Sequence, residues 1–410
     1  MRERLGRLVE DPDLTDLARI ATRHRARVWI VGGALRDVIL GREVPEVDVA
    51  VSGDADAIAH EMESRGGGRA VLLSGDRKPR VFRVAGRGRT VDVAEIEGDS
   101  IEMDLARRDF TANAMAVEVP SGPLLDPHAG LTDLSSGRLR MVSAKNLADD
   151  PLRAVRAARL FGTLGLAPDR ETSRACRRTA PALARVAEER VQAELAKLLE
   201  APRAAIALSW ASANDLLGPT FRLAEVSDRE WRRVARASAI LDRPWTNRLS
   251  AERRRRLRLA FLAGEIGLSP REAASWLKRL RWGASEAEDV ARLLGLVDGA
   301  ARARVEEDLW RWILDAAERA PDALRLLEIL RPRERSRARQ LRARVARKPP
   351  IPDVRGADVL EWLGIPPGPE VGRLLDAVRI EALAGRIRTR ADARRWLRAQ
   401  SPKSQVQSSE

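Results

Sequence analysis

Short apolar runs bounded by glycine or proline alternate with helical spacing over about the first 142 residues. Apolar residues that alternate with polar ones indicate strands, and apolar residues that recur every three or four positions indicate helices. This mixture predicts a small unit that contains both strands and helices. Helices are predicted over residues 34–40 and 54–64. Strands are predicted over residues 27–31, 47–51, 81–84, 90–94 and 114–119, the third and fourth forming a hairpin around residues 86–88.

Strand signals nearly vanish after Leu147, and amphipathic helical spacing extends from there to about Gln400. Asp149-Asp150-Pro151 predicts a helix start, because an acidic cap and a proline in the first turn both favour one. Residues 348–352 have the composition of a linker, and residues 401–410 are predicted to be disordered. The other predicted helices are 181–199, 227–240, 251–262, 270–280, 285–294, 302–319, 357–363 and 369–384.

The excess of positive charge indicates what kind of partner the protein binds. Lys and Arg number 74 against 60 Asp and Glu in 410 residues, a net charge of +14, and only six of the basic residues are Lys. Surplus base favours a polyanion such as nucleic acid, whereas codon bias alone explains the excess of Arg over Lys. A hydrophobic share of 44% supports two or three packed domains.

The cysteine count and the apolar runs exclude several classes of protein. One Cys excludes a disulfide framework and a cysteine-based zinc module. No apolar run reaches about 18 residues, which predicts that the chain has no membrane span. The N-terminal residues lack the apolar core of a signal peptide, so we expect a cytoplasmic protein.

The first candidate site comprises Gly32-Gly33 and Arg36, followed by Glu46 and Asp48. Glycines between a strand and a helix let backbone N–H groups approach an anion, and Arg36 can reach the same phosphates. Glu46 and Asp48 are two apart on a predicted strand, so both carboxylates face one side. Such a pair suits Mg²⁺ ions that activate a hydroxyl and hold a triphosphate. The alternative is a tight turn followed by solvated edge charges.

Two further strings carry candidate residues. Asp92 lies between apolar residues on a predicted strand and is either a third metal ligand or a polar residue on an open sheet face. Arg107 and Arg108 point to different sides, so one can bind a phosphate while the other pairs with Asp104 or Asp109. The alternative for this string is a capped turn with a surface ion pair.

The predicted helix after Leu147 carries polar residues every three positions, namely Asp150, Arg153, Arg156 and Arg159, which wind over one broad face. An Asp and an Arg on one face can imitate a Watson–Crick edge, because Asp accepts from an exocyclic amine and Arg donates to a ring nitrogen or carbonyl. The remaining arginines can bind phosphates. An ordinary salt-bridged amphipathic helix is the alternative.

Taken in order, these strings resemble the class II tRNA nucleotidyltransferases, the CCA-adding enzymes and their poly(A) polymerase relatives. The resemblance is dense over residues 31–200 and looser over residues 351–385. The matching strings are Gly-Gly-x-x-Arg-Asp, the strand carboxylates, Arg-Arg-Asp-Phe-Thr-x-Asn-Ala, Asp126-Pro127-His128-Ala129-Gly130, Asp-Pro-Leu-Arg, Glu189-Arg190-Val191 with Glu194-Leu195, and Gly368-Pro369-Glu370-Val371-Gly372.

The resemblance implies an α+β chain, in which a small mixed-sheet nucleotidyltransferase head of the polymerase-beta type precedes an all-α neck, body and tail. The implied boundaries are 1–146 for the catalytic head, 147–205 for a neck that recognises the base, 206–347 for the body and 348–400 for a tRNA-binding tail. The implied reaction adds C and/or A residues from CTP and ATP to the tRNA 3′ end, without a nucleic-acid template, and releases pyrophosphate.

The resemblance also implies roles for individual residues. Glu46 and Asp48 would hold Mg²⁺, with Asp92 as a further catalytic carboxylate. Asp150 and Arg153 would read the base. Other contacts to the nucleotide would come from Gly33, Arg36, Arg108, Arg156 and Arg159.

Two departures from the family pattern bear on activity. Glu46 stands where the family usually has Asp, which lengthens the arm by one methylene. The stretch between the Asp92 strand and Arg107 is short, whereas many full CCA-adding members carry a longer flexible loop there, thought to help the switch to ATP. A short loop resembles members that add only CC or only the final A. Poly(A) polymerase and an inactive RNA-binding relative are the remaining alternatives.

Several other residues are assigned structural roles. His128 is interpreted as a turn residue and Cys176 as a packing residue. No His-Asp pair occurs in the sequence, so the metal-phosphohydrolase module fused to some relatives is expected to be absent. The run from Arg253 to Arg256 is either a solvated helix face or a surface that contacts phosphates. Core packing is predicted for Trp276, Trp310, Trp312 and Trp362.

Overall fold

The computed structural model describes residues 2–66, 68–74, 79–85, 90–223 and 225–400. The chain divides into two units, Met1–Asp242 and Arg243–Glu410. Every strand of the described residues lies in the first unit. The strands are β1 Val28–Val31, β2 Glu46–Val51, β3 Arg69–Leu72, β4 Val81–Ala85, β5 Thr90–Glu95, β6 Ala116–Val119, β7 Leu124–Leu125, β8 Arg138–Leu139 and β9 Ala167–Pro168.

Helices account for most of the remaining described chain. Those of the first unit are α1 Arg2–Val9, α2 Pro12–Arg23, α3 Gly32–Ile39, α4 Ala55–Ser64, α5 Ile101–Ala106, α6 Gly130–Ser135, α7 Ala144–Asp149, α8 Leu152–Leu164, α9 Arg170–Thr179, α10 Glu188–Glu200, α11 Ala204–Ala213, α12 Leu217–Phe221 and α13 Asp228–Ala237. Those of the second unit are α14 Ala251–Glu265, α15 Pro270–Arg279, α16 Ala284–Arg302, α17 Glu306–Ala316, α18 Ala320–Leu330, α19 Arg335–Ala346, α20 Gly356–Leu363, α21 Pro369–Leu383 and α22 Arg390–Gln400.

Seven strands form one mixed sheet in the order β3-β4-β5-β2-β1-β6-β7. Strands β2 and β5 run parallel, and the other neighbouring pairs in this sheet are antiparallel. Strand β1 is buried at all four positions. A mixed sheet near the N-terminus, followed by helices, confirms the predicted α+β class. No helix among the described residues has the length and apolar character needed to cross a membrane.

The predicted strands are all present, and β4 and β5 pair antiparallel as predicted. The turn of that hairpin, at residues 86–88, and the predicted disordered segment at residues 401–410 lie outside the described residues. Residues 348–355 contain no helix or strand, which agrees with the predicted linker. Strand β3 and helix α5 were not predicted, because their sequences are too short to show a period.

Three helix predictions are wrong in detail, and one of them is the helix over residues 302–319, which is interrupted between the end of α16 at Arg302 and the start of α17 at Glu306. Asp149 and Asp150 do not cap α8: Asp149 ends α7, and Asp150 is the residue that follows it. The reason is a competing cap, since the Ser143 hydroxyl accepts from the Asn146 N–H at 3.2 Å and starts α7 instead. The predicted helix over residues 181–199 is broken, because Arg222 donates to the carbonyls of Leu183 and Val186 and satisfies them outside a helix.

The second unit resolves the alternatives left for the arginine run. Arg253 pairs with Asp322 at 2.7 Å, Arg255 with Glu286 at 2.8 Å, and Arg256 with Asp289 at 3.1 Å. Three of the four arginines are thus paired with carboxylates of neighbouring helices. The run is therefore neither a fully solvated helix face nor a surface whose charges are all available to bind phosphate. Core packing is confirmed for Trp276, Trp310 and Trp312, which are buried, and Trp362 packs at the edge of a separate cluster around Val359 and Leu397.

Candidate active site

A cleft of about 660 Å³ lies in the first unit and is lined by the sheet, by α3 and by the neighbouring helices α8 and α10. The sheet contributes carboxylates and the helices contribute guanidinium groups, so the cleft has an acidic side and a basic side. Nine of the ten predicted site residues line it: Gly33, Arg36, Glu46, Asp48, Asp92, Arg108, Arg153, Arg156 and Arg159. The tenth, Asp150, lies just before α8 and is not among the lining residues.

Strand geometry brings the carboxylates together. In β2, Glu46 and Asp48 alternate with the buried Val47 and Val49, so both acids leave the same side of the sheet. The parallel pairing of β2 with β5 places Asp48 directly opposite Asp92. Sequence periodicity predicted the first relation, whereas the second depends on a pairing between distant strands.

The pKa of Asp48 is raised above its usual range. Burial by surrounding protein is the main cause, the Asp92 carboxylate adds to it, and Arg108 opposes it. Solvent still reaches the side chain through the cleft. A raised pKa means that the protein alone does not fully compensate the negative charge, which a bound cation would do.

The oxygen donors at this position fit a magnesium site. Glu46 and Asp48 supply hard carboxylate ligands from one side of a strand, which is the chemistry that Mg²⁺ prefers. Among the described residues, no cluster of three His, Cys, Asp or Glu side chains has the geometry of a metal site. Mg²⁺ is usually bound by one or two carboxylates together with substrate phosphates, and Glu46 and Asp48 would supply the two carboxylates.

Sequence analysis missed Arg83, which lies opposite Asp92 on β4. Its Nε and Nη2 donate to the two carboxylate oxygens of Asp92, both at 2.8 Å, and Nη2 lies 3.5 Å from Glu46 Oε2. This ion pair engages both carboxylate oxygens of Asp92, and the Arg83 guanidinium places a fixed positive charge beside the proposed metal ligands. A cross-strand neighbour of this kind shows no signal in the sequence, because it depends on register.

This contact leads to a testable expectation for metal affinity. Removing the Arg83 charge in Arg83→Gln is expected to tighten Mn²⁺ binding on the order of fivefold, because a cation near Glu46 no longer repels the ion. Titration followed by electron paramagnetic resonance measures this affinity in the absence of nucleotide. Arg80→Gln, which removes an arginine paired with Asp56, is the matched control. Unchanged or weaker Mn²⁺ binding in Arg83→Gln contradicts the expectation.

Gly32 lets the chain turn closely under Arg108. Its φ of +72° lies in the left-handed region, and a Cβ there would lie 3.0 Å from Arg108 Nη1 and 3.3 Å from Asp48 Oδ2. Arg108 is held from behind by Asp104, which accepts from its Nε at 3.1 Å and its Nη2 at 2.9 Å. The predicted pairing of one arginine with Asp104 is thus present, and Nη1 of Arg108 lies over the start of α3.

Arg36 and Arg156 belong to one network, in which Arg36 is buried and Arg156 is partly exposed. Arg36 donates from Nη1 to Asn113 Oδ1 at 2.6 Å and from Nε and Nη2 to Asp37. Asn113 Nδ2 donates to Asp109 Oδ1 at 2.9 Å, and Arg156 Nη1 donates to Asp109 Oδ2 at 2.9 Å. Arg36 lines the cleft with its guanidinium held by contacts that join α3 to α8, and its phosphate contact stays a prediction.

The network continues into α10 through Glu194. Its carboxylate accepts from Arg156 Nε at 3.0 Å and from Arg159 Nε at 2.6 Å. Glu194 is buried, so this pairing supplies the negative charge that two arginines on one helix need. Arg156 and Arg159 line the cleft with their positions fixed by protein contacts.

Asp150 and Arg153, at the start of α8, each have one buried side-chain atom without a hydrogen-bond partner among the described residues. Arg190 Nη2 donates to Asp150 Oδ2 at 2.8 Å, while Asp150 Oδ1 is buried without a partner among the described residues. Arg153 Nη1 donates to the carbonyls of Arg107 and Asn146, while its buried Nε has no such partner. One buried acceptor and one buried donor thus remain on residues three positions apart, and their predicted reading of the base stays a prediction.

Cys176 and His128, to which the sequence assigned structural roles, lie outside the cleft. Burial raises the pKa of the Cys176 thiol to about 12, so it stays protonated at neutral pH and is a poor nucleophile. His128 lies in the turn between β7 and α6, where Arg140 Nη2 donates to its carbonyl at 2.6 Å. This position agrees with the turn role predicted for it.

Two family models match the chain. The Poly A polymerase head domain matches residues 28–140, and the probable RNA and SrmB-binding site of polymerase A matches residues 165–223. The first range contains Glu46, Asp48 and Asp92, and the second contains Glu194. Arg153, Arg156 and Arg159 lie between the two matched ranges.

Curated proteins of similar sequence span nearly the whole chain. The CC-adding tRNA nucleotidyltransferase of Synechocystis is 32% identical over 89% of this chain and 91% of its own. That of Geobacter sulfurreducens is 31% identical over 97% of each chain. The CCA-adding enzyme of Geobacillus thermodenitrificans is 30% identical over 90% of this chain and 92% of its own.

Solved structures share the fold. The Bacillus stearothermophilus CCA-adding enzyme in complex with CTP matches with a TM-score of 0.71 and 26% identity, over 97% of this chain and 100% of its own. The Thermotoga maritima CCA-adding enzyme complexed with tRNA has a TM-score of 0.70 at 20% identity, over 95% of this chain and 96% of its own, and supports the fold alone.

Proposed function

Because the chain belongs to the family of CC-adding and CCA-adding tRNA nucleotidyltransferases, we propose that it adds two C residues from CTP to the 3′ end of tRNA. Several of its curated relatives are CC-adding tRNA nucleotidyltransferases, from Synechocystis, Geobacter sulfurreducens and Thermus thermophilus. Others at similar identity are CCA-adding enzymes, so the relatives alone do not decide between CC and CCA.

The observation that carries the choice of CC is the connection between β5 and α5, residues 96–100. It has five residues and is tied at several points. Glu97 N–H donates to Asp104 Oδ1 at 3.2 Å, the Glu97 carboxylate pairs with Arg107 at 2.6 Å, and Ile96 N–H donates to the Val51 carbonyl at 3.0 Å. A site that accepts a purine after a pyrimidine must change shape, and a short, pinned connection opposes such a change.

The residues of the cleft divide into two working groups. Arg108 Nη1 and the backbone around Gly32 would bind the triphosphate, because cationic and N–H donors converge there. Glu46 and Asp48 would hold Mg²⁺, which when bound would supply charge stabilisation at the phosphates and a more acidic 3′-hydroxyl. In the transfer, the tRNA 3′-oxygen bonds to the α-phosphorus of CTP. The bond between the α-phosphorus and the oxygen that bridges it to the β-phosphorus breaks, and pyrophosphate leaves. The hydroxyl proton is released to water.

Base selection rests on Asp150 and Arg153. The free Asp150 oxygen would accept from the exocyclic amine of cytosine, and Arg153 would donate to its ring nitrogen or carbonyl. Catalytic head 1–146 and neck 147–205 would thus form the nucleotide site. Body 206–347 and tail 348–400 would bind the tRNA, to which the surplus of arginine gives a favourable charge.

Replacing the donor should weaken the choice of nucleotide. Arg153→Ala is expected to lower the preference for CTP over UTP by about 10- to 100-fold, since one base contact contributes about 1–3 kcal/mol of discrimination. Steady-state kcat/KM values for each nucleotide, measured with one tRNA, give the ratio. An unchanged ratio removes Arg153 from base reading.

Counting added residues tests the proposed function. A tRNA lacking its 3′ end is incubated with labelled CTP, ATP or both, and the products are resolved at single-nucleotide length. Two C residues with CTP, and no A addition when ATP is also present, support CC addition. A third residue from ATP indicates CCA addition, a long A tract on a tRNA ending in CC indicates poly(A) polymerase, and no addition indicates an inactive relative.

A further inference from the structure

Asn146 lies between the base-reading pair and the segment that carries Arg108. Its side chain is buried, with 7% of the residue exposed. Its Nδ2 donates to the carbonyl oxygens of Ala106 and Arg108, each at 2.8 Å. An asparagine amide has two N–H donors, and both are hydrogen-bonded here to the carbonyls of the residues before and after Arg107.

The backbone carbonyl of the same residue holds the base-reading pair. It accepts from the Asp150 N–H at 3.4 Å and from Arg153 Nη1 at 3.1 Å. Arg153 Nη1 also donates to the Arg107 carbonyl at 2.9 Å, between the two carbonyls that the Asn146 side chain holds. One buried residue therefore connects Asp150, Arg153 and the end of α5.

We infer that Asn146 is a positioning residue for nucleotide selection: its side-chain amide holds the Ala106 and Arg108 carbonyls and so fixes the backbone whose Arg107 and Asn146 carbonyls orient Arg153. The inference rests on the proposed function. Cytosine presents an amine beside a ring acceptor, whereas uracil presents an oxygen and an N–H in the same places. A fixed acceptor and a fixed donor reject uracil, but a guanidinium free to rotate can shift to meet its oxygen.

The ratio of CTP to UTP use separates this role from general damage. Asn146 also holds the Arg108 carbonyl, and a displaced Arg108 would affect the triphosphate that all nucleotides share. Such damage lowers kcat/KM for CTP and UTP alike and leaves their ratio unchanged. A change in the ratio therefore reports the base-reading pair.

The test uses Asn146→Ala and the milder Asn146→Ser, assayed with CTP and UTP on a tRNA lacking its 3′ end. We expect the CTP:UTP ratio of kcat/KM to fall about tenfold in Asn146→Ala and less in Asn146→Ser, whose hydroxyl keeps one donor. Thr172→Val is the matched control, because it removes a buried acceptor of the Met141 N–H at 2.9 Å without touching the pair. It should lower Tm and leave the ratio unchanged.

A double-variant cycle supplies the decisive comparison. If Asn146 acts through Arg153, adding Asn146→Ala to Arg153→Ala should not lower the ratio further. A ratio within about twofold of wild type in both Asn146 variants, or a further fall in the double variant, overturns the inference. If Asn146→Ala does not fold, Asn146→Ser decides. C addition by the wild type with an unmoved ratio defeats this inference alone, whereas no addition by the wild type defeats the proposed function and this inference with it.

Discussion

We expect Asp48→Ala to lower kcat for C addition by at least about 10³-fold while tRNA binding changes little. Asp48 faces the cleft opposite Asp92, and its raised pKa shows a negative charge that the protein alone leaves under-compensated. Without this carboxylate, the proposed Mg²⁺ site keeps only Glu46 as a ligand on β2. The transfer would then lack the charge stabilisation on which it depends.

Single-turnover kinetics with preformed tRNA complex and saturating CTP measure this loss directly, and a gel-shift titration measures tRNA affinity. Asp16→Ala is the matched control, because Asp16 is an exposed carboxylate paired with Arg19 and lies outside the cleft. Its kcat should equal that of the wild type. Appreciable turnover by Asp48→Ala would refute the assignment of Asp48 to the metal site.

Asp109→Ala is expected to lower the free energy of unfolding by about 3 kcal/mol, because the buried Asn113 amide and the Phe110 N–H lose their acceptor and the partly exposed Arg156 loses one of two carboxylates. Asp109 is 5% exposed and accepts from Arg156, Asn113 and the Phe110 N–H. Its removal leaves Arg156 with Glu194 alone and breaks the connection from α3 to α8. Chemical denaturation of the purified variant measures the change.

The control for this prediction is Glu118→Ala, which breaks an exposed pair with Arg27 and should lower stability by less than about 1 kcal/mol. Equal losses in the two variants would contradict the importance of burial.

The pH dependence of the same group has a defined sign. Burial alone would raise the pKa of Asp109, but Arg156 and the hydrogen bonds from Asn113 and Phe110 outweigh it, so the pKa is lowered. A lowered pKa stabilises the fold at pH values above the ordinary Asp range, and this contribution is lost as the pH falls through the native pKa. Asp109→Ala should therefore lose less stability than the wild type on acidification.

Local sequence signals predicted the parts of the fold that depend on periodicity. Alternation in residues 47–51 and 90–94 predicted β2 and β5, and glycines after β1 predicted the start of α3 close to Gly32. The parallel pairing of β2 with β5 depends on contacts between distant segments. No local pattern encodes it, so the meeting of Asp48 with Asp92 could only be offered as one alternative.

The candidate site shows the same division. Residue types, spacing and the family resemblance together predicted nine residues that line one cleft, but not their partners. Arg36 was predicted to contact phosphate and lines the cleft, but its bonds to Asp37 and Asn113 were not predicted. Arg83 was missed entirely because its contact with Asp92 depends on strand register. Charge alone identifies a group able to bind phosphate, whereas the folded chain determines which charges are already neutralised.

The proposed function requires one nucleotide site that reads cytosine and positions its triphosphate for transfer. A crystal structure of the Asp48→Asn variant with CTP and Mg²⁺ tests this most directly. We expect the cytosine amine at Asp150 and the ring at Arg153, with the triphosphate beside Gly32 and Arg108. Cytosine bound away from both Asp150 and Arg153, or a triphosphate outside the cleft, would contradict it.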